Sequence, residues 1–162
     1  INVAPALFGD SLQAVVHGIS MGAATTMMVS GETLPAYIRC FVEDCGYTSV
    51  WEQFKKELKE QFGLPAFPLL YTASWLCEWQ NGWNFKEASA IRQVAKCRKP
   101  MLFIHGDQDD FVPTYMVYQL YDAKPAPKEL WIAPDVDHAN SYFRYPEEYT
   151  ARIKSFTGKY IP

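Results

Sequence analysis

The sequence predicts an α/β domain: a parallel sheet of about four strands with flanking helices. Short apolar runs alternate with helical periodicities along the chain, and no internal repeat or low-complexity tract interrupts the alternation. Bulk supports the same reading. At 162 residues, 49% hydrophobic and 15% aromatic, the chain carries enough apolar surface for one domain with a real core, which argues against disorder.

Four segments read as strands. Leu12 to His17, Ile38 to Glu43, Met101 to His105 and Glu129 to Ala133 are each β-branched or aromatic and bounded by Gly, Pro or Asp. Helices fill the intervals. Met21 to Val29 is rich in small residues and ends at Ser30-Gly31, Thr114 to Tyr121 follows the helix-opening Pro113, and the last helix runs from about Glu147 to Tyr160. Between the second and third strands lies an insertion over about residues 49–86. It holds a charged helix from Ser49 to Phe62 and then Leu64 to Phe85, a stretch dense in Pro and aromatics. The charged helix places apolar residues at i, i+3 and i+7 among charges, the pattern of a solvated surface helix, with partner docking as the minor alternative.

Charge and cysteine content exclude several classes. With 15 basic and 18 acidic residues the net charge is −3, and no basic run exceeds Lys55-Lys56 or Arg98-Lys99, so no nucleic-acid partner is expected. Apolar runs such as Met101 to Ile104 are far short of the about 20 residues needed to cross a bilayer. The opening Ile1-Asn2-Val3-Ala4 has no initiator Met, basic leader or cleavage site, and reads as a cut inside a longer protein. Cys40, Cys45, Cys77 and Cys97 lack both paired zinc spacing and the density of a disulfide scaffold. They are expected to be free and mostly buried thiols, a Cys40–Cys45 bridge being the alternative.

The sharpest local signal is Gly18-Ile19-Ser20-Met21-Gly22, a G-x-S-x-G pentapeptide between an expected strand and an expected helix. Small flanking residues let the chain turn sharply and hold Ser20 strained, with its hydroxyl exposed above the sheet. The bland alternative is a Gly-flanked turn with Ser20 as an ordinary N-cap. A serine hydroxyl is a weak nucleophile until an imidazole, itself oriented by a carboxylate, removes its proton. Of the three histidines, His17 is expected to be buried in the first strand and His105 to shape the loop that follows it, which leaves His138 in the polar loop Asp137-His138-Ala139-Asn140. The loop after the third strand offers Asp107, Asp109 and Asp110, and spacing does not choose among them. A metal on this acid cluster is a rival, but carboxylates without further clustered ligands usually face water, so none is expected.

The segment His105-Gly106-x-x-Asp109-x-x-Val112-Pro113 resembles the acid loop of α/β-hydrolases. Taken with Gly18 to Gly22 and Asp137-His138-Ala139, it completes that superfamily's order Ser, Asp, His on successive strand ends, closest to its serine-aminopeptidase-like and small-esterase branches. The resemblance spans the chain from the nucleophile strand onward, so it implies the C-terminal half of that fold with a small helical, lid-like insertion. It implies a catalytic Ser20, Asp109 and His138, an oxyanion donor in the Met21 N–H, an elbow shaped by Gly18 and Gly22, and no cofactor. Asp107 then reads as stabilising its loop, and Asp110 as solvent-facing or capping the helix after Pro113. The family places further strands before the nucleophile strand, and one of their loops supplies a second oxyanion donor. Without it, at a cost of roughly 10²–10³ in turnover, this chain alone is expected to be nearly inactive. Its nucleophile strand would be an edge, inviting homodimerisation or pairing with the missing N-terminal half.

The implied activity is hydrolysis of a small-molecule ester, a thioester, or an amide or peptide through an acyl-enzyme. Esterase or acyl hydrolase ranks first, aminopeptidase-like cleavage second, and a non-catalytic interaction module retaining the fold is the alternative. Phe67, Tyr71, Trp75, Trp79, Trp83 and Phe85 recur at about one helical turn. Their simplest role is to bury the lid on the domain; the sharper one puts Trp75, Trp79 and Trp83 against an apolar substrate group.

Overall fold

The structure, a computed structural model, describes residues 3–9 and 11–161. A short helix α1 (Ala4–Phe8) leads into β1 (Ala14–Ile19), α2 (Met21–Ser30) and β2 (Ile38–Asp44). The insertion follows as α3 (Val50–Phe62) and α4 (Leu69–Asn81), then α5 (Ala90–Val94) and β3 (Met101–Gly106). The chain closes with α6 (Tyr115–Ala123), β4 (Lys128–Ala133), α7 (Ser141–Arg144) and α8 (Pro146–Thr157).

All four strands are parallel in the order β1-β2-β3-β4, the expected fold class. Sequential parallel strands need helical crossovers, and each βα unit provides one. The strands read as continuous apolar runs because both faces are covered. Phe41, Met101 and Phe103 point into one layer with Met27, Val94, Val117 and Leu120 from α2, α5 and α6. Cys40, Val42, Leu102 and Ile104 point into the other with Trp131, Tyr149 and Phe156, under α8. Each large side chain fully buried this way contributes about 1.5–3 kcal/mol of transfer free energy.

Among the described residues β1 has a hydrogen-bonded neighbour on one side only. His17 is therefore exposed rather than buried as expected, with Nε2 3.0 Å from the Tyr149 hydroxyl. The cysteines are free, Cys40, Cys45 and Cys97 buried and Cys77 half-buried. No helix among the described residues is long and apolar enough to cross a membrane.

In the insertion, α3 opens where the Ser49 hydroxyl accepts the Glu52 N–H at 3.2 Å, and it stops at Gly63, whose φ of 65° suits a residue without Cβ. Tyr71 of α4 meets Trp51 edge-on at 4.9 Å, and Phe85 meets Phe54 at 5.1 Å. The aromatic stripe does not bury the insertion on the domain. Phe67, Trp75 and Trp79 are 71%, 66% and 73% exposed, and Trp83 is exposed as well.

Candidate active site

Parallel strands carry their loops from the same edge of the sheet, and three of those loops converge here. The first is the turn between β1 and α2. Ser20 stands in it at φ 54° and ψ −117°, a strained conformation for a residue with a Cβ. Two contacts fix it: the Ser20 N–H donates to the Asp44 carbonyl at 2.8 Å, and its carbonyl accepts from Ala24 N–H at 3.0 Å. Ser20 occupies the N-cap position of α2 without acting as a side-chain cap. Its hydroxyl points instead at His138, Oγ lying 2.7 Å from Nε2.

The two glycines contribute differently. A Cβ on Gly18 would lie 2.1 Å from the Gly22 carbonyl oxygen and 2.6 Å from Thr26 Oγ1, so strand and helix approach this closely only because Gly18 has none. At Gly22 an added Cβ would meet nothing within 4 Å. Met21, first residue of α2, carries one of the helix amides that have no intrahelical acceptor, beside the Ser20 hydroxyl.

The second loop follows β3. Asp109 is buried, and each carboxylate oxygen is engaged: Oδ1 accepts the Val112 N–H at 2.8 Å, and Oδ2 lies 2.7 Å from His138 Nδ1 and 3.3 Å from His105 Nε2. Burial pushes this carboxyl up, but hydrogen bonds from His105, His138 and the Val112 N–H outweigh it and hold it down at about 2. His105 also braces the loop from beneath, with Nε2 2.8 Å from the Val112 carbonyl. Asp107 and Asp110 are exposed, and Asp110 does not cap α6, whose N-cap is Thr114 without a side-chain bond.

The third loop, after β4, carries His138 between the Asp109 carboxylate and the Ser20 hydroxyl. The Asp109–His138–Ser20 line thus runs through 2.7 Å contacts on both sides of one imidazole, a geometry suited to deprotonating the hydroxyl. For a cation, Cys45, Asp109 and His138 bring one donor atom each within 4.8 Å of one another. Burial first, then the neighbouring acids, push the Cys45 thiol far up, which keeps it protonated and a poor ligand.

Several neighbours escaped the sequence reading. The Phe111 ring packs 4.9 Å from the His138 imidazole, and its carbonyl accepts from the buried Gln53 amide of α3 at 2.8 Å, tying insertion to acid loop. Asp44, within electrostatic reach of His138, and its neighbour Tyr149 are both buried. An acidic pair, Glu43-Asp44, closing the apolar run Cys40-Phe41-Val42 was the available signal for the first of these. Trp75, Trp79 and Trp83 lie on the exposed side of the insertion and its following loop, outside this hydrogen-bonded cluster.

The parallel sheet and its flanking helices are those of the C-terminal portion of an α/β-hydrolase fold. The chain belongs to the prolyl oligopeptidase family, whose model it matches over residues 3–162. It is 33% identical over 141 residues to the uncharacterized protein YqkD of Bacillus subtilis, covering 87% of this chain and 46% of YqkD. Among solved structures it is similar to an esterase of Pyrococcus furiosus, at a TM-score of 0.72 and 23% identity, covering 99% of this chain and 59% of the esterase. It is also similar to an acylaminoacyl peptidase of Pyrococcus horikoshii, at a TM-score of 0.62 and 19% identity, covering 93% of this chain and 24% of the peptidase. At these identities the structural likeness is one of fold. The chain spans about half the length of YqkD and about three-fifths of the esterase.

Proposed function

We propose that the protein carrying this chain is a serine hydrolase that cleaves an ester, thioester or amide through an acyl-enzyme on Ser20. The observation that carries the reading is the 2.7 Å contact of Ser20 Oγ with His138 Nε2, aligned by the 2.7 Å contact of Nδ1 with Asp109. In the acylation step Ser20 Oγ attacks the substrate carbonyl carbon while its proton passes to His138 Nε2. Asp109 keeps the Nδ1–H tautomer and balances the imidazolium. The Met21 N–H, at the positive end of the α2 dipole, supports the oxyanion of the tetrahedral intermediate. His138 returns the proton to the leaving alcohol, thiol or amine as the carbonyl–leaving-group bond breaks, and water then releases the acyl group by the same steps.

Esterase or acyl hydrolase chemistry ranks ahead of aminopeptidase-like cleavage. An apolar groove of about 290 Å³ between α3 and α4, lined by residues including Phe54, Leu58, Leu70 and Phe85, lies within the insertion, and none of Ser20, Asp109 and His138 lines it. The test is fluorophosphonate labelling of the full-length protein, wild type against Ser20→Ala and His138→Ala. Labelling of the wild type that is lost in both variants is the expected result. A folded wild type that takes no label would shift the reading to a non-catalytic module on this fold.

A further inference from the structure

We infer that Asp44 is a positioning residue of this site, a second buried carboxylate that locks the His138 loop and α8 onto the nucleophile turn and supports positive charge on His138. The inference rests on the serine-hydrolase reading above. Asp44 ends β2 at the centre of the site's edge of the sheet, paired in register with Ile19 on one side and Ile104 on the other. Those are the residues immediately before Ser20 and His105. The Asp44 carbonyl accepts the Ser20 N–H at 2.8 Å, and the next N–H, of Cys45, donates to the Ile104 carbonyl at 2.9 Å. One residue's backbone therefore sets the height of the nucleophile, while its neighbour fastens the strand that leads to the acid.

The side chain faces the third component. Asp44 is 1% exposed, the Tyr149 hydroxyl of α8 and the Ser141 hydroxyl of α7 face its carboxyl, and His105 and His138 lie within electrostatic reach. Ser141 follows His138 by three residues, so this contact restrains the His138 loop. Tyr149 is held in turn by His17 of β1, at 3.0 Å. The other groups around it are acidic or neutral: Glu43 beside it on β2, Asp109 across β3, and the protonated Cys45 thiol. Asp44 Oδ1 has no hydrogen-bond partner among the described residues.

A buried carboxylate with an unsatisfied oxygen is an expensive way to fill space, since an apolar or amide side chain would serve packing at lower cost. The expense is understandable where a cation forms beside it, and the reaction creates one at His138. Burial raises the Asp44 carboxyl to about 6, against the opposing Tyr149 and Ser141 hydroxyls and the His105 and His138 rings, so it is ionised at neutral pH and loses its charge in mild acid.

The test uses the full-length protein and compares wild type with Asp44→Asn and Tyr149→Phe in two readouts. The first is the rate of fluorophosphonate labelling against pH. Asp44→Asn should slow labelling at neutral pH by roughly tenfold to hundredfold, the range set by outer partners of metal-ligating histidines, with the acid limb of the profile moved to lower pH. Tyr149→Phe should slow it severalfold. The second is thermal melting against pH, which needs no activity. A carboxyl raised on folding stabilises the fold below its unfolded value and loses that contribution as pH rises through about 6, so Asp44→Asn should melt at or above the wild-type temperature at pH 8. Labelling by Asp44→Asn at the wild-type rate with an unmoved acid limb overturns the inference, and so does a variant that melts well below wild type. If the wild type itself takes no label, the serine-hydrolase reading fails; the inference about His138 falls with it, while the melting result still reports on the buried carboxyl.

Discussion

The corner of the sheet that holds Ser20, Asp109 and His138 and the helical insertion at α3 and α4 are built on opposite principles. In the corner, polar groups are buried and bonded on several sides: Asp109 alone receives contacts from Val112, His105 and His138. In the insertion the large side chains are apolar and turned outward, with Trp79 at 73% exposure and Phe67 at 71%. Polar geometry that must be held within fractions of an ångström is fixed by a parallel sheet with both faces packed. A surface that adapts to a variable group can be carried on two helices touching through a few edge-on ring contacts, as Trp51–Tyr71 and Phe54–Phe85 do.

The contrast can be broken most forcefully at the buried end. Asp109→Asn leaves the shape intact but removes the anion that fixes the His138 tautomer, and should lower the labelling rate of the full-length protein by about ten-thousandfold. A loss of only a few fold would mean that Asp44 can replace it. Next in size is Gly18→Ala, which asks a methyl group to occupy space 2.1 Å from the Gly22 carbonyl oxygen. Overpacking against backbone should cost about 3 kcal/mol, read as a lower urea midpoint. An unchanged midpoint would show that β1 and α2 can separate without harm. Smallest are Trp75→Ala and Trp79→Ala in the insertion. Exposed as they are, each should change stability by no more than about 0.5 kcal/mol. Together they should reduce a preference for medium-chain over acetyl esters severalfold, and a full-length enzyme with no chain-length preference would dismiss these residues as acyl contacts.

The same contrast explains what the sequence disclosed. Strand positions were legible because both faces of the sheet are buried, leaving unbroken runs such as Met101 to Ile104, and the observed bounds differ from the expected ones by two residues or fewer. Ser20 was legible because its turn is local, five residues with glycine at either end. Helices α1, α5 and α7, of five, five and four residues, were missed because a single turn has no periodicity to detect. His17 was misjudged because burial depends on a neighbour beside β1, and strand pattern alone does not report one. Asp44 and Tyr149 went unnoticed for a related reason: their partnership joins β2 to α8 across most of the chain, and neither residue belongs to a short motif.

The parallel sheet also gives the molecule a polarity. Every strand runs the same way, so Ser20, Asp44, Asp109 and His138 all follow or close strands at one rim. The opposite rim receives the segments around Tyr37, Pro100 and Pro127, whose carbonyls accept the strand amides of Ala14, Phe41 and Met101. On the serine-hydrolase reading, chain length can therefore vary at that far rim without moving the reactive atoms, whereas each residue added at the near rim alters what Ser20 meets. Two halves of one small sheet are in this way exposed to separate selection, one for endurance and the other for choice of substrate.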